Sequence, residues 1–288
     1  MNADSYFAIG KTHLVCQDYT IAETFVSEGD FIEAPIAIVS DGCSSSPHTD
    51  FGARVLARAA RNRLRQWQVW GGRFDMIECV ADASRIISAA NLTPKCLDAT
   101  LLMAYFDEGQ TNVIATGDGV IVARRRDSHV IETWDITFNR GAPGYLSYTL
   151  DVGRLREYLD FGLGVRTVTH SISGGEDSVE ESQLELRQGQ VSYFGGFQYE
   201  RSFDPEIYDL VIVASDGLTS FQRRESTSFE PVDLCLVVPH LTNIKGFRGQ
   251  FMTRRARRFL NKWCPANGWH HNDDVAVAAI YVPEEDDA

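Results

Sequence analysis

The chain has 288 residues, of which 44% are hydrophobic and 23% charged, an ordinary composition for a globular protein with a substantial apolar core. Its net charge of −13, from 27 basic and 40 acidic residues, disfavours binding to nucleic acid or to anionic membranes. There is no apolar run of about eighteen residues, no visible signal peptide and no Cys-x-x-Cys pair among the six cysteines. We therefore expect a cytoplasmic protein without a membrane span, a zinc ribbon or a disulfide scaffold.

The N-terminal part is predicted to form three strands and then two helices. The strands are expected over residues 5–9, 20–26 and 35–40, and the helices over 46–70 and 74–91. The third strand is a β-branched run without alternation, which indicates burial on both faces. Ser46 and Pro47 suit the cap and first turn of the first helix. Its apolar stripe consists of Phe51, Val55, Leu56, Ala59, Leu64 and Trp67.

The middle of the chain is predicted to form an antiparallel meander. Its four strands, separated by short turns, are expected over residues 99–106, 111–117, 119–125 and 129–138. Residues 140–205 are rich in glycine at first and acidic later, so most of this segment is expected to run over the surface. Strands are still predicted within it at 165–172 and near 182–187.

The C-terminal part begins with a clear strand and ends with another. Strands are predicted over 208–215 and 275–282, helices over 218–224, 230–238 and 247–263, and an acidic tail over 283–288. The last helix carries a dense set of basic side chains. They are Arg248, Arg254, Arg255, Arg257, Arg258 and Lys262. In so acidic a protein, a solvated and ion-paired face is favoured over a nucleic-acid surface.

Two buried strands end in the same tripeptide. Ser40-Asp41-Gly42 follows one apolar run, and Ser215-Asp216-Gly217 follows another. Further acidic residues at strand ends are Asp18, Asp118 and Asp273. Each alone is an ordinary turn residue, but a converging set would be mutually repulsive without cations. Oxygen-only ligation selects Mg²⁺ or Mn²⁺ over zinc.

The order of these motifs resembles that of the metal-dependent protein phosphatases, the type 2C serine/threonine phosphatase family, in a compact bacterial-type form. The motifs are Gly10-Lys11-Thr12-His13 with Cys16-Gln17-Asp18, Ser40-Asp41-Gly42, Asp98-Ala99-Thr100, Gly117-Asp118-Gly119, Ser215-Asp216-Gly217 and Asp273-Asp274. Each is degenerate, but together they cover almost the whole chain, from residue 7 to residue 282.

The resemblance implies an α+β fold, a four-layer α-β-β-α sandwich with two central antiparallel sheets flanked by antiparallel helix pairs. Residues 1–288 would form a single domain, with the family's flap within 140–205. The candidate ligands independently favour one domain, because they run from Asp18 to Asp273 and so need both ends of the chain.

The resemblance also implies the roles of the acidic residues. Asp41 would bridge two ions, the carbonyl of Gly42 would bind one, and Asp216 and Asp273 would bind the other. Asp18 would support the second ion, and Asp118 would lie near a third, weaker site. The cofactors would be two Mn²⁺ or Mg²⁺ ions, or three, and a hydroxide bridging two of them would attack phosphoserine or phosphothreonine. The catalytic residues, acting through this water, would be Asp41, Asp216 and Asp273. The partner would be a phosphorylated protein, with a serine/threonine kinase as the opposing enzyme.

Two departures from the family pattern leave other functions open. His13 stands where the family carries an arginine that grips the substrate phosphate, and Lys11 is a candidate to assist it. Cys43-Ser44-Ser45-Ser46 follows the first metal motif, where many relatives have histidine or methionine with glycines. These changes favour, as an alternative, a catalytically weak regulatory module that binds a phosphorylated partner. A phosphatase for a small phosphorylated molecule is a third possibility, because the flap within 140–205 decides which substrates have access.

Overall fold

The computed structural model describes residues 1–26, 33–71, 74–173, 178–185, 197–225 and 228–284. The strands are β1 Asn2–Ala8, β2 Asp18–Val26, β3 Glu33–Asp41, β4 Leu101–Asp107, β5 Gln110–Thr116, β6 Gly119–Arg125, β7 Ile131–Phe138, β8 Val165–Ser173, β9 Ser178–Glu185, β10 Gln198–Phe203, β11 Tyr208–Ala214, β12 Phe221–Glu225, β13 Ser228–Pro231, β14 Trp269–His271 and β15 Val275–Tyr281. The helices are α1 Thr49–Trp70, α2 Met76–Ala89, α3 Val152–Asp160, α4 Leu234–Thr242 and α5 Phe251–Arg258, and α5 continues through a wider turn, Phe259–Trp263, into Cys264–Ala266.

Two antiparallel sheets pack face to face in the centre. The seven-stranded sheet has the order β1-β15-β11-β6-β7-β8-β9, and the five-stranded sheet has the order β10-β5-β4-β3-β2. Alternation along β11 reveals the layers, because Val211 and Val213 join the core between the sheets while Leu210 and Ile212 join the core beneath α4 and α5. Helices α1 and α2 cover the five-stranded sheet through a third core. The four-layer α-β-β-α sandwich is confirmed.

Helix α1 begins three residues later than predicted. Its cap position is His48, which has a left-handed backbone with φ of 58° and provides no side-chain cap. Ser46 does not cap the helix, because its hydroxyl donates instead to Asp98 Oδ2 at 2.7 Å. Phe51 was also placed wrongly on the buried stripe, since it is exposed.

The predicted meander is two hairpins in different sheets. Strands β4 and β5 pair in the five-stranded sheet, whereas β6 and β7 pair in the seven-stranded sheet. The chain crosses between the sheets at Gly117-Asp118-Gly119, where the two glycines have φ of 90° and 140°. Such angles strain any residue with a Cβ, so this tripeptide can change direction where an ordinary strand would continue.

The prediction that most of residues 140–205 run over the surface is wrong for parts of the segment, which are buried. Strand β8 extends the seven-stranded sheet, in agreement with the strand predicted there, and β10 pairs with β5 at the edge of the other sheet. Phe197 and Phe203 are each only 1% exposed, and Leu146 is fully buried. The strand expected near 182–187 is β9, which begins earlier, at Ser178, while residues 186 and 187 lie outside the described residues.

The helix predicted over 218–224 is wrong. After a short helical turn, Asp216–Thr219, the chain forms β12, which lies between β13 and β14 in a small three-stranded sheet. The final strand is confirmed as β15, and residues 285–288 of the acidic tail lie outside the described residues. In the part of the chain that the structure describes, no helix is long and apolar enough to cross a membrane.

Candidate metal centre

The five predicted acidic residues come from both central sheets. Asp18 begins β2 and stands directly opposite Asp41, the last residue of β3. Asp118 lies in the crossing from β5 to β6, Asp216 lies two residues after β11, and Asp273 lies two residues before β15. Rigid strand ends therefore position these carboxylates at one end of the sandwich.

Four of the five line one cavity of about 240 Å³. The lining residues are His13, Asp41, Gly42, Cys43, Ser44, Ser45, Thr100, Asp118, Gly141, Pro143, Tyr145, Asp216 and Asp273. Asp18 lies outside this lining and is only 1% exposed. Lys11 is exposed and does not line the cavity. The structure thus brings His13, but not Lys11, to the acidic residues.

Thr100 fixes the backbone of the first tripeptide. Its N–H donates to the Asp41 carbonyl at 2.8 Å, and its hydroxyl accepts from the Asp41 N–H at 3.1 Å. Ser40 donates to the Thr100 carbonyl at 2.7 Å. A Cβ on Gly42 would lie 2.7 Å from the Thr49 carbonyl oxygen, so the close approach of α1 requires glycine here.

The second tripeptide, Ser215-Asp216-Gly217, makes different contacts through its serine. The hydroxyl of Ser215 donates to Asp18 Oδ2 at 2.7 Å and accepts from the Ala276 N–H at 3.0 Å. Ser215 therefore joins β11, β15 and the start of β2 beneath the cavity. The two Ser-Asp-Gly sequences are alike in the chain but unequal in the fold, because only the second serine binds an acidic member of the cluster.

The acidic cluster lacks compensating charge. Burial raises the pKa of Asp18 to about 8 and that of Asp118 to about 7. Burial, followed by the charges of Asp18 and Asp216, raises the pKa of Asp41 well above its usual range. One buried oxygen, Oδ1, of Asp18 and of Asp216 has no hydrogen-bond partner. A hard cation would favour the ionised form of these carboxyls and would serve as the partner that the two oxygens lack.

His13 supplies part of the missing positive charge. Its Nδ1 lies 3.1 Å from Asp274 Oδ2, and its Nε2 lies 3.5 Å from Asp273 Oδ1. Burial lowers the pKa of His13, but the contact with Asp274 and the neighbouring negative charges outweigh it, so the net shift is upward. The imidazolium form is therefore favoured between these two carboxylates.

Two buried aspartates were not singled out from the sequence as site residues. Asp274 is 1% exposed and accepts from the backbone N–H groups of Gly10 and Gln17, both at 2.6 Å. In the sequence, Asp274 directly follows Asp273, and only Asp273 was predicted to be a ligand. Asp98 accepts from Ser46, Ser147 and Arg154, and the spacing of these partners along the chain gives no local signal.

The chemistry of the oxygen ligands supports a metal here, although they do not form a complete coordination shell. Within the described ranges, no group of three or more His, Cys, Asp or Glu side chains is arranged so that it could hold a metal ion. The unpartnered oxygens of Asp18 and Asp216 and the raised pKa of Asp41 nevertheless fit a divalent cation. The residues of the acidic cluster therefore fit a divalent cation by their type and by their burial.

A comparison with protein-family models identifies the relationship. The model described as "Protein phosphatase 2C" matches residues 10–243. The chain belongs to the protein phosphatase 2C family. Of the acidic residues, Asp18, Asp41, Asp118 and Asp216 lie within the matched range, and Asp273 lies beyond it.

Solved structures show the same fold as this phosphatase 2C protein. A variant of a bacterial serine phosphatase is 12% identical, with a TM-score of 0.52 over 98% of each chain. The serine/threonine phosphatase Stp1 from Staphylococcus aureus is 13% identical, with a TM-score of 0.51 over 98% of this chain and 96% of that one. No curated protein matches the sequence.

Proposed function

We propose that this member of the protein phosphatase 2C family is a metal-dependent phosphatase that hydrolyses phosphoserine or phosphothreonine in proteins. The observation that carries the proposal is the convergence of Asp41, Asp118 and Asp216 on one cavity, with Asp18 buried outside its lining. These residues come from both sheets, and two of them present buried oxygens without partners. Such an arrangement costs stability and is retained where a cation offsets it.

Asp41 would be the shared ligand of two ions, as the resemblance implies, and it lies opposite Asp18 in the sheet and lines the cavity with Asp118 and Asp216. The Gly42 carbonyl, Asp216 and Asp273 would complete the ligation, with Asp18 in support and Asp118 toward a third ion. When bound, Mn²⁺ or Mg²⁺ supplies the positive charge that the cluster lacks and lowers the pKa of a water molecule for attack on a phosphate ester.

His13 would orient the substrate phosphate. It is the basic residue of the cavity lining, and its raised pKa favours the form that donates to an anion. Its contacts with Asp273 and Asp274 hold the ring in place. Gly141, Pro143 and Tyr145 also line the cavity, so the segment that the resemblance assigns to the flap would meet the substrate there.

The proposal includes one domain, a cytoplasmic location and an opposing serine/threonine kinase. The single domain is supported by the need for Asp18 and Asp273 from opposite ends of the chain. The cytoplasmic location is supported by cysteines without paired spacing.

Hydrolysis of a phosphoserine peptide and of a small aryl phosphate by the metal-stripped protein, before and after addition of Mn²⁺, tests this function. We expect hydrolysis only with metal, and its loss in Asp216→Asn. The matched control is Asp127→Asn, at an exposed turn whose carboxylate accepts from the Ser128 N–H. Hydrolysis of the aryl phosphate that persists in a chelator, or in Asp216→Asn, would contradict the proposal.

A regulatory module that binds a phosphorylated partner is the second candidate. The observation in its favour is that His13 already faces Asp273 and Asp274, while the other described residues lining the cavity include no lysine or arginine. Calorimetric titration with Mn²⁺ separates the two functions. Absence of metal binding at millimolar Mn²⁺, together with binding of a phosphopeptide, would favour the module.

A further inference from the structure

A second cavity, of about 610 Å³, lies against α4, α5 and the loop between them, on the outer face of the seven-stranded sheet. Four cationic side chains line it: Lys245, Arg254, Arg255 and Arg258. It shares no lining residue with the acidic cavity. Its volume lies in the range typical of small-molecule sites.

The cations of this cavity have no acidic counterpart. No aspartate or glutamate lines the cavity, and within the described residues none of the four cationic side chains forms a salt bridge. The prediction of a solvated face for the basic helix is confirmed by the exposure of Arg254, Arg257 and Arg258, but the predicted ion pairing is wrong among the described residues. In a chain with a net charge of −13, four unpaired cations around one cavity indicate a selected local positive field.

The arginines are partly fixed before any ligand arrives. Arg254 Nη2 donates to the carbonyls of Arg248 at 3.0 Å and Gly246 at 3.3 Å, which ties the loop before α5 to the helix. Arg255 Nε is buried and has no hydrogen-bond partner. Burial and the neighbouring charge of Arg258 lower the pKa of Arg255. An anion bound here would accept a hydrogen bond from Arg255 Nε and would offset the repulsion between Arg255 and Arg258.

Aromatic rings form another part of the wall. His240 stacks on Phe259, with ring centroids 5.1 Å apart and planes 8° apart, and lies 3.9 Å from the Trp263 ring. Trp263 is partly exposed. The cavity therefore combines guanidinium donors for a phosphate with an indole against which a flat ring can pack.

We propose that this cavity is a second binding site, which takes a small phosphorylated ligand carrying a flat ring, of the nucleotide class. The phosphates would contact Arg258 and Lys245, whose exposed side chains reach the cavity from α5 and from the preceding loop. Arg255 would provide the buried donor, and Trp263 would contact the base. This binding site is separate from the acidic site, because the two cavities share no lining residue.

Isothermal titration of the whole protein with ADP, pyrophosphate and adenosine tests the proposal. The buffer contains a chelator, so that metal-dependent phosphate binding at the acidic cavity does not contribute. We expect ADP to bind more tightly than pyrophosphate and adenosine to bind weakly. Replacing one charge-assisted contact, in Arg258→Gln or Lys245→Gln, should weaken ADP binding by about tenfold. Raising the salt concentration should weaken it further.

Arg257→Gln is the matched control. Arg257 is the neighbour of Arg258 on the same helix, but its guanidinium lies 5.7 Å from the centroid of the Tyr6 ring and does not line the cavity. Its loss should change ADP affinity by less than about twofold. If ADP and pyrophosphate bound equally tightly, the base would contribute nothing to binding, and this result would overturn the nucleotide assignment. Equal weakening by Arg257→Gln, tighter binding of an acidic peptide, or no binding at millimolar ADP would overturn the site itself.

Discussion

Asp18 and Asp41 are paired in register across β2 and β3, so that two carboxylates meet in the five-stranded sheet at the base of the acidic cavity. Like charges directly opposite each other destabilise a sheet. Here Asp18 is also buried and Asp41 half-buried, and removal from solvent raises the pKa of each. The pair is costly to the metal-free fold, and a cation shared between the two carboxylates would offset that cost.

The stability of the metal-free protein should fall as the pH rises. Asp18, with a pKa of about 8, and Asp118, with a pKa of about 7, hold protons in the folded state that the unfolded chain, with a pKa of 3.8, releases. A raised folded pKa gives stability that is complete below about pH 4 and is lost as the pH passes 7 to 8.

Thermal unfolding at pH 6 and pH 8, with chelator and with Mn²⁺, measures this effect. We expect Mn²⁺ to raise the melting temperature more at pH 8 than at pH 6, by at least about 3 °C, the shift that roughly 1 kcal/mol produces in a chain of this size. An equal metal effect at both pH values would show that these carboxyls do not hold protons in the apo fold.

Asp41→Asn should give a protein that is inactive yet more stable without metal. The amide keeps the shape of the side chain and cannot ionise, so the repulsion from Asp18 and Asp216 disappears. We expect a higher melting temperature in chelator at pH 8, no stabilisation by Mn²⁺, and phosphatase activity reduced by more than about 100-fold.

The same substitution at Asp82 is the control for that experiment. Asp82 binds Arg63 through Oδ1 at 3.0 Å, and the hydrogen bond from Arg63 lowers the pKa of this carboxyl. Asp82→Asn should therefore lower the melting temperature and leave the Mn²⁺ effect intact. A decrease in apo stability in both variants would contradict the assigned repulsion at Asp41.

Asp98→Ala should destabilise the fold strongly. The carboxylate is 3% exposed, pairs with Arg154 at 2.9 Å, and accepts from Ser46 at 2.7 Å and Ser147 at 2.6 Å. Removing it leaves a cation and two hydroxyls without their acceptor, at a cost of about 3 kcal/mol. Urea unfolding measures the loss, and Ser147→Ala, which removes one donor, should cost about 1 kcal/mol. A loss below that of the serine variant would refute the role of Asp98 as the shared acceptor.

The sequence predicted the buried strands and the acidic residues that follow them because those signals are local, whereas the four-layer sandwich was implied by the resemblance of the ordered motifs to the phosphatase family. The apolar run before Asp41 and the one before Asp216 specify buried strands, and the following glycine specifies a change of direction. The sequence did not reveal the crossing at Asp118, since Gly-Asp-Gly is equally compatible with a hairpin turn and with a change of sheet. Only the positive φ values on both sides of Asp118, and the pairing of the flanking strands with different sheets, distinguish the two.

The features that the sequence missed depend on contacts between distant segments. Ser46 looked like a helix cap, but Asp98, 52 residues away, takes its hydroxyl. A helix was predicted over 218–224, but pairing with β13 and β14 makes Phe221–Glu225 a strand. Whether a serine caps a helix and whether a segment forms a helix or a strand depend here on tertiary contacts, which amino-acid composition and hydrophobic periodicity do not reveal.

Gly217→Ala should disrupt the site through the backbone alone. A Cβ at this position would lie 1.7 Å from the Asp274 carbonyl oxygen, so the turn after β11 and the start of β15 would have to separate. We expect a loss of more than about 2 kcal/mol in urea unfolding and weaker Mn²⁺ binding, because Asp216 and Asp273 adjoin the displaced segments. Gly246→Ala is the control, since a Cβ there meets nothing within 4 Å and should change stability by less than about 0.5 kcal/mol. If Gly217→Ala unfolded like this control, the close approach of β11 and β15 would not be what positions the two carboxylates.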